Sequence, residues 1–168
     1  SFSILDNNLN LLENYDKNKL VPFGEFLPLE KFLKKIGFKA ITNNFGSFTN
    51  GNDREIIEIN NKSYEFSFLP LICYEIIYSG NLSENFNYDF IANISEDGWF
   101  GKSIGPDQHF AKSSFRAIEN NTFLLRSTNQ GVSAIIDNKG SLIKKLDRNE
   151  AGNIEFEVPL IKSNKIKN

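Results

Sequence analysis

Two short apolar runs, LPLICY (Leu69–Tyr74) and DFIANI (Asp89–Ile94), constrain the fold more than any other feature of the chain. Each is too short for a buried helix, and neither alternates apolar with polar residues as a half-exposed strand does. They read as strands buried within a sheet. A buried sheet needs a covering layer, and Gly105–Asn121 supplies one. Pro106 suits the first turn of a helix, and Phe110, Ala111, Ser114, Phe115 and Ile118 recur as its inward stripe. FSILD and LNLLENY predict a hairpin about Asp6–Asn8. Glu55–Ile59 and Ser63–Phe68 predict a second about Asn60 and Asn61. Phe123–Ser127, Gly131–Ile136, Ser141–Leu146 and Gly152–Val158 read as further strands. Pro28–Ile36 is expected as a short helix with Leu29, Phe32, Leu33 and Ile36 on one face, and Lys39–Asp53 as a long loop. Many strands with one long helix predict a layered α/β (α+β) domain.

Composition removes several function classes. The 168 residues are one domain's worth. A net charge of −2 argues against a basic face for nucleic acid. Sixteen Phe and five Tyr argue against disorder. A single cysteine excludes an intrachain disulfide framework and a multi-cysteine zinc site. No apolar run approaches the ~18 residues of a membrane span, and no signal peptide is visible. The absence of Met leads to the expectation of a processed product or an internal piece.

Cys73 ends the most apolar strand and is followed at once by Tyr74 and Glu75. A strand running into a sharp bend is where nucleophiles are presented; the competing reading is a small buried hydrophobe. The sole histidine, His109, permits a papain-like pair with Cys73, although a helix-packing role is the better expectation. One His and one Cys make a metal site improbable. Lys17 opens an unusual loop, YDKNKLVPFGEFLP, that reaches Glu25, while Lys19 reads as solvated. Asp97, Trp99 and Phe100 lie in NISEDGWFGKSIGPDQHF, a strand-end stretch of the kind that builds sites. The alternative there is an aromatic plug closing one end of the core.

Four blocks, YDKNKLVPFGEFLP, LICYEI (Leu71–Ile76), NISEDGWFGKSIGPDQHF and LLRSTNQGVSAIID (Leu124–Asp137), together resemble the apolipoprotein N-acyltransferases. These bacterial enzymes carry a nitrilase-like carbon–nitrogen hydrolase domain. LVPFGE followed by ICYE separates them from ordinary nitrilases, which share the Lys and Cys but not this loop. The resemblance runs from the first hairpin to about Pro159. It implies a nitrilase-like αββα sandwich, incomplete at its N-terminal side, over residues 1–160, with 161–168 a polar tail leading toward a membrane helix. It also implies a Glu–Lys–Cys triad in which Lys17 is the lysine and Cys73 the nucleophile. Glu25, Tyr74 and Glu75 match positions needed for activity, and Trp99 falls among the supporting residues. The triad Glu is expected upstream of the first hairpin, and no residue here matches it. Glu96 departs from the Asn often found in the family.

The implied reaction moves a fatty acyl chain from a phospholipid to the α-amine of a lipidated N-terminal cysteine, through a Cys73 thioester and without a cofactor. The implied partners are the phospholipid donor, the diacylglyceryl apolipoprotein acceptor and the membrane surface, with no nucleic acid. The implied location is the extracytoplasmic side of the bacterial inner membrane. An apolar arm including Phe26, Phe32 and Leu33 is expected to dip into the interface, with Lys31, Lys34 and Lys35 meeting anionic head groups. Lacking the triad Glu, the chain alone is expected to be inactive or nearly so. The alternatives are a soluble amidase of the same superfamily, disfavoured by the LVPFGE loop, and a non-catalytic lipid- or lipoprotein-binding module.

Overall fold

A computed structural model describes residues 1–22, 25, 48–52, 54–60, 65–80, 82 and 87–159. The opening hairpin forms as its sequence predicts. β1 (Phe2–Leu5) pairs antiparallel with β2 (Leu11–Tyr15), and the Asp6 carboxylate accepts from the amides of Asn8 and Asn10 to close the turn. The second sheet has six strands in chain order: β3 (Ile57–Asn60), β4 (Glu65–Ile72), β5 (Phe90–Glu96), β6 (Phe123–Asn129), β7 (Ser133–Ile136) and β8 (Leu142–Leu146). The centre is parallel, β4 to β5 and β5 to β6, and the flanks are antiparallel. Parallel neighbours require a crossover, and α1 (Gly105–Glu119) belongs to the one from β5 to β6.

The sheet is apolar on both faces, which is why LPLICY and DFIANI do not alternate. Leu69, Leu71, Ile91, Leu124 and Ile136 point to the face covered by α1 and the turn after β4, and all five are fully buried. Each contributes about 1.5–3 kcal/mol by leaving water. Phe66, Phe68, Phe90 and Ala92 point to the opposite face, where Phe2, Ile4 and Tyr15 of the hairpin join them. The rings of Phe68 and Phe90 stack there at 5.4 Å.

Four sequence expectations need correction. Ser63–Phe68 and LPLICY do not form separate strands: β4 is continuous from Glu65 and stops at Ile72. Pro70 is tolerated within it because β3 ends at the Ile57–Phe68 pair, leaving one side of β4 without a ladder beyond that point. Of the expected apolar stripe of α1, only Phe110 packs against the core. Pro106, His109, Ser113, Arg116 and Ala117 face inward, while Phe115 and Ile118 are exposed. His109 takes the inner face because it bonds groups below the helix, whereas Arg116 pairs with Glu119 on the helix itself. Finally, residues 152–158 form no strand. They lie beside the sheet through Phe156 against Phe123 and through Lys144, which donates to the Glu155 carbonyl. The expected helix at 28–36, the arm residues Phe26, Phe32 and Leu33, and the tail 161–168 lie outside the described residues.

Candidate active site

β4 delivers Cys73 at the point where the extended backbone ends. The next residues form a 3-10 turn, Cys73–Ile77, and Cys73 itself has φ +50°. A side chain in this left-handed region costs about 1–2 kcal/mol, so the bend persists only because its surroundings hold it. Cys73 is partly exposed rather than buried, which removes the reading of it as a core hydrophobe.

Glu75, two residues on, is the hub of the bend. It is fully buried, and its Oε2 accepts from the Ile72 amide at 2.8 Å. Its Oε1 accepts from the amides of Asn18 and Lys19, at 3.0 and 3.1 Å, and from the Tyr15 hydroxyl at 2.8 Å. Arg54 stands 3.1 Å from the same oxygen, so the buried charge is paired. One carboxylate thus ties the backbone just after Lys17 to the backbone just before Cys73. Burial and the Glu75 charge push the Tyr15 phenol up to about 12, which keeps it a donor.

Lys17 follows β2 and is nearly buried. Its Nζ donates to both oxygens of Glu25, at 2.7 and 2.8 Å. Glu25 Oε2 also accepts from the Val21 amide at 2.8 Å, closing the LVPFGE loop on itself. The Gly51 amide donates to the Lys17 carbonyl, and Gly51 is required there, since a Cβ would stand 2.3 Å from the Asp16 carbonyl oxygen. Lys17, Glu25, Leu20, Phe48 and Ile72 share the lining of a cleft of about 460 Å³.

A second polar cluster lies behind the bend. His109 of α1 is buried; its Nε2 is 3.1 Å from the Cys73 carbonyl oxygen and its Nδ1 is 2.9 Å from Asp97 Oδ1. Asp97 also accepts from Ser95 Oγ at 2.7 Å and from Arg126 Nη2 at 2.7 Å. Burial pushes the Asp97 carboxyl up, but the His109 hydrogen bond, the Arg126 charge and Ser95 outweigh it and hold it down at about 2. Arg126 Nη1 donates to Asn93 Oδ1, and Asn93 Nδ2 donates to the Leu71 carbonyl. Gly131 leaves space for Asp97, whose Oδ2 would be 2.3 Å from a Cβ there.

Of the residues singled out in the sequence, Lys17 and Glu25 are in direct contact, and Glu75 links their loop to the Cys73 bend. Tyr74 packs edge-on against Tyr78, with ring centroids 6.0 Å apart. Lys19 is not simply solvated, because its Nζ lies 4.6 Å from the centroid of the Tyr78 ring. Trp99 is 80% exposed and plugs nothing; its neighbour Phe100 instead meets His109, at 5.4 Å between ring centroids. His109 bonds the backbone of Cys73. Tyr15, Asn93 and Ser95 were missed, as were two arginines. Arg126 had a signal, a charge inside the apolar strand LLRST. Arg54 had none.

The chain matches the carbon–nitrogen hydrolase family over residues 1–167. It is 39% identical over 156 residues to the apolipoprotein N-acyltransferase of Caulobacter vibrioides, covering 92% of this chain and 29% of that protein. It is 42% identical over 156 residues to the enzyme of the same name from Rickettsia typhi, covering 92% of this chain and 30% of that protein. The chain therefore spans less than a third of the length of these relatives. Among solved structures, an amidase of the nitrilase superfamily from Nesterenkonia AN1 superposes with a TM-score of 0.57 at 15% identity, over 89% of this chain and 52% of the amidase. That likeness shows the fold: this α/β chain forms an incomplete part of a nitrilase-like domain. The strand-to-turn bend at Cys73, the parallel sheet behind it and the match along nearly its whole length make this chain a member of the carbon–nitrogen hydrolase family.

Proposed function

We propose that the full-length protein to which this chain belongs is a lipoprotein N-acyltransferase. In this reading it carries a fatty acyl group from a phospholipid to the α-amine of a lipidated N-terminal cysteine. The observation that carries the reading is the Glu75 carboxylate, which fastens the segment between Lys17 and LVPFGE to the bend bearing Cys73. The family resemblance rests on that loop and bend, and the relatives that match 92% of this chain are named apolipoprotein N-acyltransferases.

In the first half-reaction the Cys73 thiolate adds to the ester carbonyl of the lipid. A C–S bond forms, the C–O bond to glycerol breaks, and the lysolipid oxygen takes the proton that the Cys73 thiol gave up to the triad glutamate. Lys17 places its ammonium beside the developing oxyanion, where one lost donor typically costs about 10²–10³ in rate. Glu25, with both oxygens on Lys17 Nζ, orients that ammonium. In the second half-reaction the acceptor amine attacks the thioester, the amide forms, and the thiolate leaves as the amine gives up a proton. The proton acceptor is a glutamate that the family resemblance places upstream of the hairpin. Release of the first product before the second substrate reacts predicts ping-pong kinetics.

The test is Cys73→Ser in the full-length protein, scored for triacylated lipoprotein. The reading expects no N-acylated product above background. Undiminished product, or turnover of a small amide with none of lipid, overturns it.

A further inference from the structure

We propose that His109 is a positioning residue for the nucleophile: its Nε2–H holds the Cys73 carbonyl, and the Asp97–Arg126 pair holds the ring. This rests on the reading of Cys73 as the nucleophile.

Cys73 sits in a backbone conformation that L-residues avoid, with φ +50°. A thiol presented from such a bend is aimed only as well as the flanking peptides are fixed. One residue upstream, the Leu71–Ile72 peptide is fixed by Glu75, which accepts from the Ile72 amide. The carbonyl after it is fixed by His109, at 3.1 Å. A carbonyl only accepts, so Nε2 must carry a hydrogen. Nδ1 lies between Asp97 Oδ1 at 2.9 Å and Arg126 Nη2 at 3.1 Å. It donates to the first when protonated and accepts from the second when not, so the bond to Cys73 survives either charge state of the ring.

The support behind the ring is rigid. Asp97 is fixed by Ser95 and Arg126, and Arg126 by Asn93, which returns to the Leu71 carbonyl two residues before the nucleophile. The circuit runs from β4 through β5, β6 and α1 and back to the end of β4. Every one of its side chains apart from Ser95 is buried. A histidine that merely packed a helix would need neither the circuit nor a bond to this particular carbonyl.

Two near-isosteric replacements separate positioning from packing. In His109→Gln the amide nitrogen falls where Nε2 was and can still reach the Cys73 carbonyl. In His109→Asn it falls where Nδ1 was, keeping Asp97 and losing Cys73. Both are made in the full-length protein. Single-turnover thioester formation with phospholipid, KM for that lipid, and the rate of iodoacetamide alkylation at Cys73 are measured below the melting temperature of either variant. His109→Gln is expected to keep thioester formation within about tenfold of the parent. His109→Asn is expected to lose about 100-fold at nearly unchanged KM, the size of effect that a displacement of about 1 Å produces. Equal rates in the two variants, or losses that track melting temperature alone, overturn the proposal. Alkylation needs no lipid. If it separates the two variants while Cys73→Ser still makes product, the acyl-transfer reading fails and the positioning of the thiol stands.

Discussion

Glu75 has four hydrogen-bond donors and an arginine around it in a site closed to water. An amide of the same shape would put N–H groups where N–H groups already point. Glu75→Gln is therefore expected to cost about 3 kcal/mol, the lower end for breaking a buried pair, read as a lower urea midpoint. An unchanged midpoint would remove Glu75 as the hub. Asp97 makes a pH prediction. Its folded carboxyl titrates near 2, against about 3.9 in an unfolded chain. A depressed value adds stability above about pH 4 that is lost as pH falls toward 2, about 2–3 kcal/mol in all. Urea titrations from pH 5 to 2 should show the Asp97→Asn variant losing less stability than the parent over that interval. Parallel curves would contradict the assignment.

The turn after β4 turns on backbone geometry. At φ +50° Cys73 occupies space that glycine enters freely. Cys73→Gly should be more stable than Cys73→Ala by about 1 kcal/mol, measured by thermal unfolding, though both lack the thiol. Equal stability would mean the bend is unstrained. This element also shows what the sequence could and could not tell. Apolar runs located β4, β5 and β6, and turn residues located both hairpins, because these signals are local. The end of β4 was set two residues too late because Ile72 is capped by a side chain from beyond the strand. Most of the inner face of α1 was misassigned because hydrophobicity ranks Phe115 above Arg116, whereas the partners of His109 lie on the turn after β5, on β6 and on the bend, far away in sequence. Lys17, Glu25 and Cys73 became candidates through their motifs. The contacts that join them were not legible, since Glu75 acts across 57 residues of chain.

For the whole molecule, the sheet carries apolar side chains on both faces, and the hairpin meets one of them. Relatives more than three times as long share this unit, which accords with a nitrilase-like domain working within a larger protein. In our reading that protein draws its donor from a bilayer, and the arm with Phe26, Phe32 and Leu33 meets the interface. Phe32→Ser combined with Leu33→Ser should lower flotation with phosphatidylglycerol vesicles and leave circular dichroism unchanged. Flotation equal to the parent's would take the arm out of the account.

The most direct measurement is mass spectrometry of the Cys73 peptide after brief exposure of the full-length protein to a phospholipid of defined chains, with no acceptor present. The account predicts one added fatty acyl group on Cys73, released by neutral hydroxylamine and transferred to a diacylglyceryl peptide amine on its addition. An unmodified Cys73 in a protein that still N-acylates that peptide would contradict it.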